Sequence, residues 1–264
     1  MLKNKSCSVI IPIYNGAKYL KASIESVLDQ DYPLIELILI DDYSTDDSLQ
    51  FARHYQSNYP QLIRVITNDK NLGLVKTFLI GIENSSGEFI SALGQDDVMR
   101  SNRLSRLISS IDIQNVDMIC SNSLLIYDDE KTIQLVRNGK EWKSNRYIAP
   151  KEFLFTNPII GSSVMFRKSR FKQIDKNLFK YRNYMEWIHW FQYSINGGIY
   201  FISDPLIYYR KHSDNLTNYI YEMKDFRRYR RFCQRFVLKN ISPSDSLEAM
   251  STYGFVRLKS IFQK

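Results

Sequence analysis

Four short aliphatic runs, "CSVIIPI", "LIELILI", "LIRVIT" and "EFISAL", alternate with three stretches of helical periodicity near the start of the chain, and this alternation limits the fold more than any other feature. Leu20, Ile24, Val27 and Leu28 follow the first run at i, i+4, i+7 and i+8, one face of a helix. After the second run, Ser44 or Thr45 stands where an N-cap is expected, ahead of a helix carrying Leu49, Ala52 and Tyr55. Val75, Phe78, Leu79 and Ile82 mark a third helix. Strands joined through helices of this length pair in parallel. The predicted class is therefore α/β, a mostly parallel central sheet flanked by helices.

In such sheets ligands bind beyond the carboxyl ends of the strands. Three polar clusters fall at those ends, Tyr14-Asn15-Gly16, Asp41-Asp42 and Gln95-Asp96-Asp97, and are expected to converge on one edge. Adjacent carboxylates suit a hard divalent cation such as Mg²⁺, whose remaining positions are filled by water and phosphate oxygens. A nucleotide diphosphate is the phosphate donor that fits. Asp42, acceptor-only when ionised, is placed for the imide N–H of a uracil-like base or for a ribose hydroxyl. Capping of the following helices by these acids is the structural alternative, open at this point. Past residue 115 the rhythm loosens, with candidate strands at 118–127, 163–166, 199–202 and 206–209, and no internal repeat or clear linker.

Composition narrows the setting. The 264 residues are 44% hydrophobic, enough for a sizeable core. Three widely spaced cysteines form no Cys-x-x-Cys pair, which fits a reducing cytoplasm better than a disulfide or zinc framework. The apolar run after the first lysines is too short for a signal sequence, and no window approaches the ~18 to 20 apolar residues of a spanning helix. The formal charge is +8, and nine Lys/Arg against three Asp/Glu lie between Arg210 and Lys239. There "YEMKDFRRYRRFCQRFVLKN" sets Met223, Phe226, Tyr229, Phe232, Cys233 and Phe236 on one helical face and arginines on the others. A helix over 219–240 of this kind either lies on an anionic membrane leaflet as a peripheral contact or packs on the preceding domain with its basic face solvated. Nucleic acid is not expected, since none of the usual recognition motifs is present.

Five blocks in sequence order carry a resemblance: "SVIIPIYNGAKYLKASIESVLDQDYPLIELILIDDYSTDDS", "NLGLVKTFLIGIENSSGEFISALGQDDVM", "NPIIGSSVMFRKS", "MEWIHWFQ" and "PLIYYRKHSDNLT". Together they resemble the family 2 glycosyltransferases of bacterial surface-polysaccharide assembly, over about residues 6 to 218. The resemblance implies a GT-A fold, a nucleotide-diphosphate sugar donor with Mn²⁺ or Mg²⁺, and transfer with inversion at the anomeric carbon.

Residue by residue, the resemblance places Pro12, Tyr14 and Asn15 beneath the base, Asp42 on uracil or ribose, and Asn71 and Gly73 along the nucleotide pocket. Tyr43 stands where the family usually has Gly or Asn. Asp96 falls on the last acid of the Asp-x-Asp signature, the metal ligand, and Gln95 precedes it in the donor site. Gly94 replaces the first acid. Asp97 is a further metal candidate, with capping of the next helix as its alternative. Glu186, four residues before Trp190, falls on the general base, with Met185 at the preceding Glu position; surroundings made by Trp187 and Trp190 would desolvate it. His189 is expected to be packed. Arg210 is expected to hold the leaving diphosphate and His212 to complete the metal sphere.

The implied organisation is a catalytic domain over 1–218, divided into a nucleotide-sugar half (1–115) and an acceptor half (116–218), followed by a basic helical extension over 219–264. The implied activity is transfer of a single sugar, from a UDP-sugar, to a glycan acceptor that is lipid-diphosphate-linked, at the cytoplasmic face of the membrane. Two rivals remain. A nucleotidyltransferase would want a Gly-rich basic phosphate loop where "PIYNGAKYL" stands, and a non-catalytic binding protein of the same fold would explain the Gly94 and Glu186 departures.

Overall fold

The computed structural model describes residues 5–33, 36–127, 132–134, 143–171, 186–216, 218 and 224–253. Its first half follows the alternation of the sequence. β1 (Cys7–Ile13), β2 (Glu36–Asp41), β3 (Ile63–Thr67) and β4 (Phe89–Ala92) are joined through α1 (Ala17–Leu28), α2 (Ser48–Asn58) and α3 (Leu74–Asn84). β1 lies between β2 and β4, and β2 between β1 and β3, all parallel.

The period of two along each strand sorts the core into two layers. Ile10, Ile38 and Ile40 face Val75, Phe78 and Ile82 of α3. Val9, Ile11, Leu37 and Leu39 face Leu20, Ile24 and Val27 of α1. β1, β2 and β4 are thus buried on both faces, which is why their runs are nearly all aliphatic, whereas the edge strand β3 leaves Arg64 and Thr67 exposed.

The second half is mixed in direction. β9 (Val164–Arg167) inserts antiparallel between β4 and β6 (Met118–Tyr127), and β6 pairs in parallel with β10 (Ile199–Lys211). The order across the sheet is β3-β2-β1-β4-β9-β6-β10-β5, with β5 spanning Val98–Met99; off this path β7 (Thr132–Gln134) pairs with β6 and β8 (Arg146–Tyr147) with β10. The segments expected as two strands, 199–202 and 206–209, form the single strand β10, whose register slips on either side of Pro205. Proline has no N–H to give the ladder, so pairing is interrupted there without ending the strand. β5 pairs antiparallel with β10, Val98 against Tyr208, and so delivers Asp96 and Asp97 to the far end of β10.

Two expected caps are not formed. α2 starts after Asp47, with Ser44 and Thr45 engaged elsewhere, and α4 (Arg103–Ile113) starts after Asn102, so Asp97 does not cap it.

The basic helix, α7 (Lys224–Asn240), packs on the domain. Tyr229, Cys233 and Val237, at i, i+4 and i+8, are buried, and α7 meets α6 (Glu186–Asn196) through Trp187 on Tyr229 and Phe191 on Phe236, ring centroids 6.5 and 5.9 Å apart. Its apolar side is thus covered by protein and is not offered to a membrane. Arg227, Arg228, Arg231, Arg235 and Lys239 remain exposed. α8 (Pro243–Tyr253) follows, with Glu248 paired to Lys151 at 2.6 Å. Met223 lies outside the described residues. Among the described residues, no helix is long and apolar enough to cross a membrane.

Candidate active site

The three strand-end clusters do converge, around a cleft of about 880 Å³ lined by Pro12, Tyr14, Asn15, Asp42, Asn71 and Gly73, and also by Gln95, Asp96, Glu186 and His212. That volume is in the range of small-molecule sites, ~300 to 1,000 Å³.

At the ends of β1 and β2 the polar side chains mostly hold one another's loops. Asn15 is left-handed, φ 49°, and its Oδ1 accepts the Thr45 N–H at 2.8 Å while its own N–H donates to Ser44 Oγ at 3.1 Å. This is where the two expected cap residues are used. The Gln95 carboxamide pairs with the backbone of Tyr14, Oε1 accepting the N–H at 2.8 Å and Nε2 donating to the carbonyl at 3.1 Å. Gly16 leaves room for it, because a Cβ there would strike the Gln95 amide.

Asp42 is 3% exposed and accepts from the N–H groups of Leu72 and Gly73 at 2.7 and 2.8 Å and from Asn68 Nδ2 at 2.9 Å. It therefore fixes the Asn71–Gly73 turn as well as facing the cleft. Tyr14, 48% exposed, presents its ring to the cleft.

Asp96 and Asp97 are adjacent but not equivalent. Asp96 lines the cleft, and its Oδ2 lies 3.0 Å from His212 Nε2 and 3.0 Å from Asn215 Nδ2. Asp97 is 2% exposed and turned inward, accepting the Arg210 N–H at 2.9 Å and a hydrogen bond from Ser162. Burial, and beside it the Asp96 charge, push its carboxyl up to about 8. As a third metal ligand Asp97 is thus misplaced, and among the described residues no group of three or more His, Cys, Asp or Glu side chains converges on one point.

Arg210 lies behind the cleft. Its Nε donates to the Asp96 carbonyl at 3.1 Å and its guanidinium sits 4.9 Å from the Tyr19 ring centroid. It braces Asp96 from there and does not line the cavity.

The donor set suits a divalent cation supported from outside the protein. One carboxylate oxygen and one imidazole nitrogen fit Mn²⁺ better than Mg²⁺, which prefers oxygen alone. His212 Nε2 and Asp96 Oδ2 are hydrogen-bonded to each other at 3.0 Å, so an ion shared by the two would replace that bond. Gly94 explains the absent first acid. A Cβ there would lie 2.9 Å from Asp96 Oδ1 and 2.8 Å from Asp97 Oδ2, so a larger residue has no room beside the two aspartates.

Glu186 opens α6 and also lines the cleft. Asn157 Nδ2 donates to its Oε2 at 3.4 Å, and the carboxylate lies so close to Gly161 that a Cβ there would collide with it. Trp190 lines the cleft beside it and is buried otherwise, as is Trp187, whose indole N–H donates to the Phe153 carbonyl at 2.6 Å. Met185 lies outside the described residues. His189 is 0% exposed among Phe166, Phe171 and Tyr193, and burial pulls its pKa down to about 3.

Three participants carried no assignment from the sequence. The Tyr19 ring lies 4.7 Å from the His212 ring, tilted by 41° to it. Asn215 bridges Asp96 and His212. Arg103, 0% exposed, donates through one Nη to the carbonyls of Ser162, Val164 and Ala92 at 2.8, 3.1 and 3.4 Å, holding the turn that faces Glu186. Arg103 had a signal: it shares the apolar helix face of Leu107 and Ile111.

A family model described as glycosyl transferase family 2 matches residues 8–175. "Glycosyltransferase GlyG" of Streptococcus pneumoniae serotype 4 is 27% identical over 79% of this chain and 72% of its own length. "Uncharacterized glycosyltransferase RP339" of Rickettsia prowazekii is 29% identical over 80% of this chain, which spans only 65% of that relative. Among solved structures, S. aureus TarS 1–349 in complex with UDP-GlcNAc superposes with a TM-score of 0.75 at 18% identity, covering 94% of this chain and 71% of that one. GalNAc-T7 with UDP, GalNAc and Mn²⁺ gives 0.63 at 17% identity over 81% of this chain and 45% of its own.

Proposed function

This chain belongs to glycosyl transferase family 2, and on that premise we propose that it transfers one sugar from a UDP-sugar to a glycan acceptor with inversion at the anomeric carbon. The observation that carries the reading is that Asp96 with His212, and Glu186, line one cleft together with the polar ends of β1 and β2. Tyr14 stacks on the uracil, and Asp42 with the Asn71–Gly73 turn closes the nucleoside end. Glu186 takes the proton from the attacking acceptor hydroxyl. That oxygen bonds to the anomeric carbon as the bond to the β-phosphate oxygen breaks, and the electron pair leaves with the diphosphate.

Asp96 and His212 would hold a divalent cation, Mn²⁺ by the donor chemistry, which would supply positive charge to the leaving diphosphate. Lys18 lines the same cleft and adds to that charge. Arg103 and Gly161 keep the Gly161–Ser163 turn where Glu186 can approach the acceptor.

The acceptor we assign is a lipid-diphosphate-linked glycan of a bacterial surface polysaccharide, and the support is the basic face of α7. At 100° per residue, Arg227, Arg228, Arg231, Arg235 and Lys239 fall within an arc of about 120°, opposite the buried Tyr229, Cys233 and Val237. Contact with an anionic leaflet is then electrostatic and non-inserting, each cation near the surface contributing ~1 kcal/mol.

A panel of nucleotide sugars tests the reading. Release of nucleoside diphosphate should depend on a UDP-sugar, an acceptor and Mn²⁺; release of pyrophosphate, or metal-dependent binding without turnover, would point instead to the nucleotidyltransferase or the binding protein.

A further inference from the structure

We propose that Asn215 is a positioning residue whose carboxamide holds Asp96 and His212 side by side to share a metal ion; this rests on the reading of those two residues as the metal ligands. Asn215 is 5% exposed in the turn that follows β10. Its Nδ2 donates to Asp96 Oδ2 at 3.0 Å and to the Arg210 carbonyl at 3.1 Å, and lies 3.1 Å from His212 Nε2. Its Oδ1 accepts the His212 N–H at 2.6 Å. One side chain thus ties the strand-end acid of the first half of the chain to the histidine of the second, across 119 positions of sequence.

The need for such a tie follows from Gly94. With no first acid, Asp96 has no second acid of the signature beside it, and its carboxylate is oriented by His212 and Asn215 instead. Asp97 cannot orient it, because its own carboxylate is committed to the Arg210 N–H and to Ser162. A carboxylate held by one flexible side chain alone spreads over rotamers, whereas one anchored by a buried donor is presented in a single direction. His212 is fixed as well, by the Asn215 bond to its backbone, by the Asp214 N–H on Nδ1 at 3.2 Å and by the Tyr19 ring beside its own. Asn215 is the group common to both ligands. Its chemistry suits that role, since a carboxamide gives a donor to the acid and an acceptor to the histidine backbone without adding charge to the site.

Calorimetric titration of UDP, with Mn²⁺ and with a chelator, into the wild type, Asn215→Leu and Asn215→Asp tests this. The wild type should bind UDP more tightly with Mn²⁺. Both variants should lose about 10- to 100-fold of the Mn²⁺-dependent affinity, the usual effect of removing a partner of a metal ligand, while binding in chelator stays unchanged. Equal Mn²⁺-dependent affinity in variants and wild type would overturn the positioning role. A gain in Asn215→Asp would make position 215 a ligand position and overturn it as well. A wild type indifferent to Mn²⁺ would remove the metal reading itself, an outcome read without any variant. If Asn215→Leu does not fold, Asn215→Asp decides alone, since it keeps the acceptor for the His212 N–H.

Discussion

Gly161 and Glu186 fit together only because one of them has no side chain: a Cβ at position 161 would collide with Glu186 Oε1. The backbone of Gly161 needs no left-handed conformation, so Gly161→Ala acts through that contact alone. Transfer should fall by about 10²-fold, the scale of a 1 Å displacement of a reacting group, with UDP-sugar affinity unchanged. Steady-state rates beside calorimetric donor binding check this, and unimpaired transfer would show that Glu186 need not sit where it does.

Restoring the first acid of the Asp-x-Asp signature should harm this chain. Asp at position 94 would press on Asp96 and Asp97, so Gly94→Asp should cost ~1 to 3 kcal/mol by overpacking and lower the melting temperature by several degrees. It should bring no gain in Mn²⁺-dependent UDP binding. A gain in that titration would show that the site had lost a ligand and not rebuilt itself around glycine.

Tyr43 is left-handed, φ 66°, and 55% exposed. A non-glycine residue in that region is disfavoured by roughly 1 to 2 kcal/mol, and Asn less than most. Tyr43→Asn should therefore raise stability by ~1 kcal/mol, or about 2 to 4 °C in a thermal melt. An unchanged or lower melting temperature would mean that the ring makes contacts worth the strain.

His189 makes the fold acid-sensitive. Burial holds its folded pKa near 3, below the ~6.5 of an unfolded histidine, so below pH 6.5 the unfolded chain binds a proton that the folded chain refuses. Its contribution to stability is intact above pH 6.5 and declines as pH falls toward 3, by on the order of 1 kcal/mol per pH unit. Denaturant melts at pH 7.5 and 5 should show this loss in the wild type and a smaller one in His189→Leu. Identical losses would place the acid sensitivity elsewhere.

What the sequence disclosed followed from periodicity. The aliphatic runs of β1, β2 and β4 and the helical spacing around Leu20 and Val75 were legible because both faces of those strands and one face of each helix are buried. The convergence of the three strand-end clusters followed from the parallel connection. Strand direction beyond residue 115 was not legible, because the antiparallel insertion of β9 and the slip around Pro205 depend on long-range pairing that leaves no local period. The roles of Gln95, Asn15 and Asp42 were legible only in part: residue type indicated hydrogen bonding, but the partners are backbone groups of loops distant in sequence. Asp97 shows the same limit, since nothing in "QDDVM" indicates which of two adjacent carboxylates turns inward. The apolar stripe of α7 was visible, but not what covers it.

The proposed transfer depends most on Glu186 as the group that receives the acceptor's proton. Glu186→Gln keeps the size and the contacts with Asn157 and Gly161 while removing the base. Measured with the preferred UDP-sugar and acceptor, kcat should fall by at least about 10²-fold with donor affinity within about a factor of two of wild type. Transfer at a near-normal rate in Glu186→Gln would contradict that role.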